Sequence, residues 1–230
     1  MKLLCIICAR GGSKGIKDKN LLTIGGKSLL AQSILIAKKT NMFYKIIVST
    51  DSKKIANEAT KFGAEVPFMR PKKLATSRSP EILSWKHAII FYRNQKVFFD
   101  GIVSLPTTSP LRSLIDIRRV INKFKLKKFD TVVCVTDSSR NPYFNMLEKK
   151  NSGFYNIVNK AKKYIHNRQQ APKTYDVTTV CFASKCKFVL KKENLFSGKV
   201  GVVKVPFERS IDIDNIIDYK ISNFLYENKI

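Results

Sequence analysis

The chain has 230 residues, 44% of them hydrophobic, and carries 43 Lys and Arg against 17 Asp and Glu, a formal net charge of +26 at pH 7. That length suits one α/β domain with a small extension, and the apolar fraction is sufficient to fill its core. No apolar run reaches bilayer length, and the short run before Arg10 lacks the cleavage site of a secretory signal, so a membrane span and an export signal are both excluded from the reading.

The predicted elements alternate. The apolar run 3–8 reads as a buried strand and is followed by a glycine-rich basic loop, 9–20. After a turn at 23–27, Ser28 caps a helix to about residue 39. Residues 44–49 form the second strand, and Asp51 or Ser52 caps a helix that Gly63 terminates. A short strand at 64–68 and a turn at Arg70-Pro71 precede a helix over 80–94, with Pro80 in its first turn and Trp85 on its core side. A strand at 101–105 ends at Pro106, Ser113 caps a helix to 125, and 130–136 is the next strand.

Residues 138–176 break the pattern, being polar, aromatic and Lys-rich without a clean period; they read as an inserted excursion within a single domain, 1–230. A strand at 177–183, a short helix at 184–191, a strand at 200–205 and a helix at 216–227, capped from Asp214 or Asn215, complete the chain. Repeated β-α alternation predicts an α/β fold with a mostly parallel sheet between helices.

The five cysteines fall mainly in apolar strand-like runs and read as buried, reduced thiols of a cytoplasmic protein. Cys5 and Cys8 are spaced like half a zinc site, but residues three apart on a strand face opposite ways. The basic pairs, such as Lys38-Lys39, Lys72-Lys73 and Lys162-Lys163, are scattered along the chain. They read as solvated faces rather than a nucleic-acid stripe, and a positive field also speeds the arrival of an anionic substrate.

Three stretches carry chemistry. In the first loop Gly11, Gly12 and Gly15 stand among Arg10, Lys14, Lys17 and Lys19. Glycines let successive backbone N–H groups approach an anion, and a strand feeding such a loop is where open α/β sheets bind phosphate. The loop is neither a Walker loop, since Leu21 stands where its first glycine belongs, nor a dinucleotide fingerprint. Near the other end, Asp212 and Asp214 are two apart on an extended segment and so face one way. Paired carboxylates of this kind suit Mg²⁺. Between them, the hydroxyl-rich turn Thr107-Thr108-Ser109-Pro110 sits where a strand ends and a helix begins.

Residues 9–20 resemble the nucleotide-binding signature of the CMP-sialic acid synthetases, the cytidylyltransferases that activate nonulosonic acids. Residues 208–215 resemble that family's carboxylate signature, and 105–112, 49–51 and 70–75 resemble further blocks in chain order. The resemblance implies a Rossmann-like nucleotidyltransferase sheet, with the excursion serving homodimer formation. The reaction implied is CTP plus an acidic nine-carbon sugar giving the CMP-sugar and pyrophosphate. By the same resemblance Arg10, Lys14, Lys19 and Asp212 are catalytic. Ala9, Arg10, Gly11, Gly12, Lys19, Asn20, Arg70 and Ser79 hold the nucleotide, and Asp212 and Asp214 hold Mg²⁺. Thr107, Thr108, Ser109, Arg168, Gln169 and Tyr175 contact the sugar, Arg168 as a guanidinium fork for its carboxylate.

Two departures bear on the substrate. Pro106 replaces a glutamine that touches the sugar in many relatives, and Ser79-Pro80-Glu81 differs from the family's Asp- and Ser-rich block. Legionaminate, pseudaminate, neuraminate and 3-deoxy-octulosonate all remain open acceptors. A basic nucleic-acid-binding protein and a catalytically silent CTP-binding relative are the alternatives of other classes; neither is expected to release pyrophosphate, and no membrane partner is expected.

Overall fold

The computed structural model describes every residue except Lys14, Lys162, Tyr164, Lys229 and Ile230. Its centre is a six-stranded sheet. The strands are β1 (Leu3–Cys8), β2 (Lys45–Ser49), β3 (Gly101–Ser104), β4 (Thr131–Asp137), β5 (Tyr175–Lys185) and β6 (Val200–Lys204), in the spatial order β6-β4-β5-β3-β1-β2. All run parallel except β5, which lies antiparallel between β3 and β4.

Helices cover both faces because the strands are apolar on both. Leu3, Cys5 and Ile7 of β1 point into one core with α1 (Leu29–Thr40), α2 (Lys53–Lys61) and α4 (Leu114–Lys125). Leu4 and Ile6 point into the other, with α3 (Glu81–Asn94) and α5 (Cys186–Lys191). That alternation is the strand period, and near-continuous apolar strands are what a sheet buried on both faces requires. Trp85 is buried in the second core, and its indole Nε1 donates to Glu81 Oε1 at 2.8 Å.

The expected caps are present. Ser28 accepts from the Ala31 N–H, Ser52 from Ile55, and Ser113 forms a capping box with Asp116. Gly63 sits at φ 83°, the left-handed conformation a helix end favours. The terminal helix α6 (Ile216–Glu227) is capped by Asn215, which leaves Asp214 free of that role.

Four expectations change. Residues 64–68 form only isolated bridges, Ile47 to Glu65 and Thr50 to Met69, because this segment runs past the open edge of β2 without a sustained ladder. Pro80 stands at the N-cap of α3 rather than inside its first turn. The turn at 23–27 closes a two-residue ribbon, Thr23–Ile24 with Lys27–Ser28. The strand expected at 177–183 is longer and irregular: opposite Val133 stands Phe182, but opposite Val135 stands Val177, so β5 bulges between those rungs. Within 138–176 a small hairpin, Leu147–Lys149 with Tyr155–Ile157, and a 3₁₀ turn at Arg168–Gln170 are ordered apart from the main sheet.

All five cysteines are free thiols, and burial pushes each of their pKa values up. No helix among the described residues is long and apolar enough to cross a membrane.

Candidate active site

The carboxyl ends of β1 and β3 open into a cleft of about 460 Å³. Its walls include Arg10, Lys19 and Asn20 from the first loop, Arg70, Ser79 and Glu81, the Thr107–Thr108 turn, Thr179 and Asp214. Residues from both ends of the chain thus meet where parallel sheets place ligands.

Asn20 is the internal hub. It is buried, its Nδ2 donates to the Arg10 carbonyl at 2.8 Å, and its Oδ1 accepts from Thr107 Oγ1 at 2.6 Å. A side chain so fixed ties the basic loop to the hydroxyl-rich turn. Arg70 is buried too, and it braces the end of β2: its Nε donates to Ser49 Oγ at 3.0 Å and a terminal nitrogen donates to the Ser49 carbonyl. Arg112 does the same for the turn, donating from Nε to the Ser109 carbonyl at 2.9 Å and from a terminal nitrogen to that of Pro106. Its burial pulls the guanidinium pKa down to about 10. The Arg10 side chain makes no hydrogen bond or ion pair with any described residue.

The carboxylate segment reaches the cleft through three anchors. The Ile213 N–H donates to the Thr108 carbonyl at 2.9 Å. The Ile213 side chain is buried with Ile24 and Leu29, which sends Asp212 and Asp214 away from that apolar cluster. Arg209 forks onto Asp116, Nε to Oδ2 at 2.8 Å and Nη2 to Oδ1 at 3.1 Å, at the base of α4.

Lys19 Nζ closes the circuit, donating to the Ile213 carbonyl at 2.7 Å and to Asp214 Oδ1 at 3.1 Å. Gly15 packs so closely that a Cβ there would stand 2.4 Å from the Asp214 carbonyl oxygen. Glycine at 15 is therefore required by the contact between loop and carboxylate segment.

Asp212 is partly buried and its Oδ1 has no partner among the described residues. Burial pushes its carboxyl pKa up, the neighbouring Asp214 charge adds to that, and hydrogen bonds from Thr108 and Thr179 oppose it. An unpartnered carboxylate oxygen beside a second carboxylate is a hard-oxygen donor set, and it fits a small divalent cation. Ser79 offers a second orphan, a buried hydroxyl oxygen without a partner among the described residues.

Several expected residues lie elsewhere. Ala9 is buried under the loop, and its N–H donates to the Ser49 carbonyl at 3.1 Å. The Gly11 N–H is taken by Asp51 Oδ1 at 2.9 Å, whereas a Cβ on Gly12 would meet nothing within 4 Å. Ser109 is buried outside the cleft, its hydroxyl 2.6 Å from Thr179 Oγ1. Arg168, Gln169 and Tyr175 line a separate cleft of about 400 Å³ that shares no residue with the first. There Arg168 donates to the Ser138 carbonyl. Tyr175 and Thr179 are four residues apart on β5, Tyr175 on the rung opposite Asp137 and Thr179 in the bulge. Lys14 falls outside the described residues.

Thr179, Glu81, Thr76 and Ser77 line the cleft without having been singled out in the sequence. Thr179 sits in the bulge of β5, and no local pattern marks a bulge. Glu81 accepts from Ser104 Oγ at 2.7 Å as well as from Trp85, and so reads locally as a helix-start carboxylate.

A mostly parallel sheet whose basic first loop and Asp214 share one cleft, with Asp212 beside it under Thr108 and Thr179 rather than in its lining, is the frame of a nucleotidyltransferase. The chain belongs to the cytidylyltransferase family, whose model matches residues 4–185. It is 34% identical to the post-translational flagellin modification protein B of Campylobacter coli, over 99% of this chain and 96% of that one. It is also 34% identical to a CMP-N,N'-diacetyllegionaminic acid synthase of Campylobacter jejuni, over 99% of the chain and 96% of the relative. An N-acylneuraminate cytidylyltransferase of Escherichia coli is 29% identical over 99% of this chain and 53% of its own length. Among solved structures, a CMP:2-keto-3-deoxy-manno-octonic acid synthetase complexed with CTP superposes with a TM-score of 0.74, covering both chains fully at 15% identity. That last likeness bears on fold alone.

Proposed function

We propose that this enzyme transfers the cytidylyl group of CTP to an acidic nine-carbon sugar, releasing pyrophosphate. The observation that carries the reading is the meeting of the first loop with the carboxylate segment, 3.1 Å from Lys19 Nζ to Asp214 Oδ1 inside one cleft. Chemistry of this kind needs in-line positioning and charge neutralisation rather than a protein nucleophile.

Arg10, Lys14 and Lys19 hold the triphosphate with the Gly12 backbone, the Gly11 N–H being engaged by Asp51. Asn20, Arg70 and Ser79 orient the nucleoside side. Asp212 and Asp214 would hold Mg²⁺, which when bound would offset the negative charge of the reacting groups. Thr107 and Thr108 border the acceptor's path. The anomeric hydroxyl of the sugar attacks the α-phosphorus, and the bond to the β-phosphate oxygen breaks.

Arg168 reads as the partner of the sugar carboxylate, with Gln169 and Tyr175 as partners of the sugar's hydroxyl or acetamido groups. Their place in a separate cleft is accounted for if the excursion of one subunit completes the cleft of another in a homodimer. Exposed Leu147, Phe154 and Tyr155 on that excursion supply apolar surface for such pairing.

The test is pyrophosphate release from CTP across a panel of nonulosonic acids, with legionaminate first because two relatives at 34% and 29% identity carry that substrate in their names. Asp212→Ala is expected to abolish most turnover while leaving the fold intact. Unchanged turnover in that variant excludes the metal role, and no release with any sugar acid excludes the transferase reading.

A further inference from the structure

We infer that Lys19 is the resident cation of the carboxylate pair in the nucleotide-free protein, and that it makes metal and triphosphate binding interdependent. This rests on the reading above, in which Asp212 and Asp214 form the metal subsite.

The Lys19 ammonium occupies the position a metal ion would compete for. It bonds both to Asp214 Oδ1 and to the Ile213 backbone carbonyl between the two aspartates. Its side chain is 16% exposed against 76% for Asp214, so the lysine is the sheltered partner. It cannot drift away with its loop, because the next residue, Asn20, is buried and pinned at both ends of its amide. A divalent ion arriving alone must either displace the ammonium or bind beside it. Displacement from Asp214 costs Lys19 its charged acceptor and leaves it the Ile213 carbonyl, in a cleft whose walls already carry Arg10 and Arg70. Neither course is favourable.

A triphosphate changes this balance. Its oxygens offer Lys19 a new acceptor inside the same cleft, and as the ammonium turns to them Asp214 loses its internal counter-ion. The two carboxylates are then open to the divalent ion. Linkage makes the effect reciprocal: by whatever factor nucleotide strengthens metal binding, metal strengthens nucleotide binding. Lys19 is in this sense a positioning residue for the metal subsite as well as a phosphate contact, and it disfavours idle occupancy of the site by metal.

The experiment is a Mn²⁺ titration of the metal-free full-length protein, followed by electron paramagnetic resonance, without nucleotide. Wild type is expected to bind Mn²⁺ weakly, and Lys19→Met to bind it about tenfold more tightly, a factor within the usual range of site coupling. Lys19→Arg, which keeps the charge, is expected to stay weak, and Asp214→Asn to lose Mn²⁺ in either background. Thermal melting checks each fold, and Lys19→Gln replaces the Met variant if that one does not fold. Equal or weaker Mn²⁺ binding by the neutral Lys19 variants, with Asp214→Asn still impaired, overturns the lysine exchange while sparing the metal subsite. Mn²⁺ binding untouched by Asp214→Asn overturns the metal subsite itself.

Discussion

Arg209→Leu tests how the carboxylate segment is held. Asp116 is fully buried, and it keeps two hydrogen bonds from Ser113 when Arg209 is removed. What it loses is a two-pronged charged contact at 2.8 and 3.1 Å. Each hydrogen bond to a charged group is worth about 1.5–3 kcal/mol when lost. A wholly buried pair broken on one side costs about 3–5 kcal/mol. Here the Arg209 side chain is 31% exposed, so water takes up part of the deficit. The expected loss is therefore about 2–3 kcal/mol, which for a chain of this size lowers Tm by about 4–12 °C.

Differential scanning calorimetry reads the stability change, and pyrophosphate release titrated against Mg²⁺ reads the consequence for Asp212 and Asp214. Turnover is expected to require more Mg²⁺, because the segment has lost its tether to α4. The double variant with Asp116→Asn should lose less than the sum of the singles. A coupling below about 0.5 kcal/mol, the usual limit of additivity, would refute the argument.

Gly15→Ala forces the loop away from the Asp214 carbonyl, and is expected to cut turnover about a hundredfold while moving Tm little, the usual cost of an ångström of misplacement in a site; normal turnover would show that the contact is dispensable. Asp130 accepts from the Lys199 N–H and from Lys185 Nζ, and these hold its carboxyl below the usual carboxylate range. Its stabilisation is therefore present above the unfolded value of about 3.9 and is lost as pH falls through the lower folded value. Acid melts should show Asp130→Asn weaker than wild type at neutral pH and converging with it at the acid end. Asp212 has the opposite sign: its folded pKa is raised, so the ionised carboxyl destabilises the metal-free protein as pH rises through that value. Asp212→Asn is expected to melt higher than wild type at pH 7 without divalent ions, and the gain to shrink on acidification; a lower melting point at pH 7 would contradict this.

What could be read in the sequence was local. Ser28, Ser113 and Asn215 each stand before an apolar periodic run, and each caps its helix. The apolar runs of β1, β3 and β4 announce strands buried on both faces. The basic loop and the Asp212–Asp214 pair were visible as residue types in a spacing. What was hidden is tertiary. Nothing near residues 175–185 says that the strand runs backwards or that it bulges, because direction and register depend on distant partners, the nearest being Asp137 opposite Tyr175. Gly15 looks like one more flexible glycine until its contact with Asp214 is seen. Asp116 closes the capping box of Ser113, and its second role as the seat of Arg209 depends on a residue near the other end of the chain.

The backward course of β5 has a consequence for how this scaffold accepts change. Asp137, where β4 ends, stands directly opposite Tyr175, where β5 begins. The excursion thus leaves and re-enters the sheet across one rung, like a drawer set in a fixed frame. Closing a longer drawer is inexpensive, since doubling a loop adds only about 0.6 kcal/mol of closure entropy. Descendants of this chain could therefore exchange the contents of residues 138–174 for a new acceptor without altering the loop that follows β1.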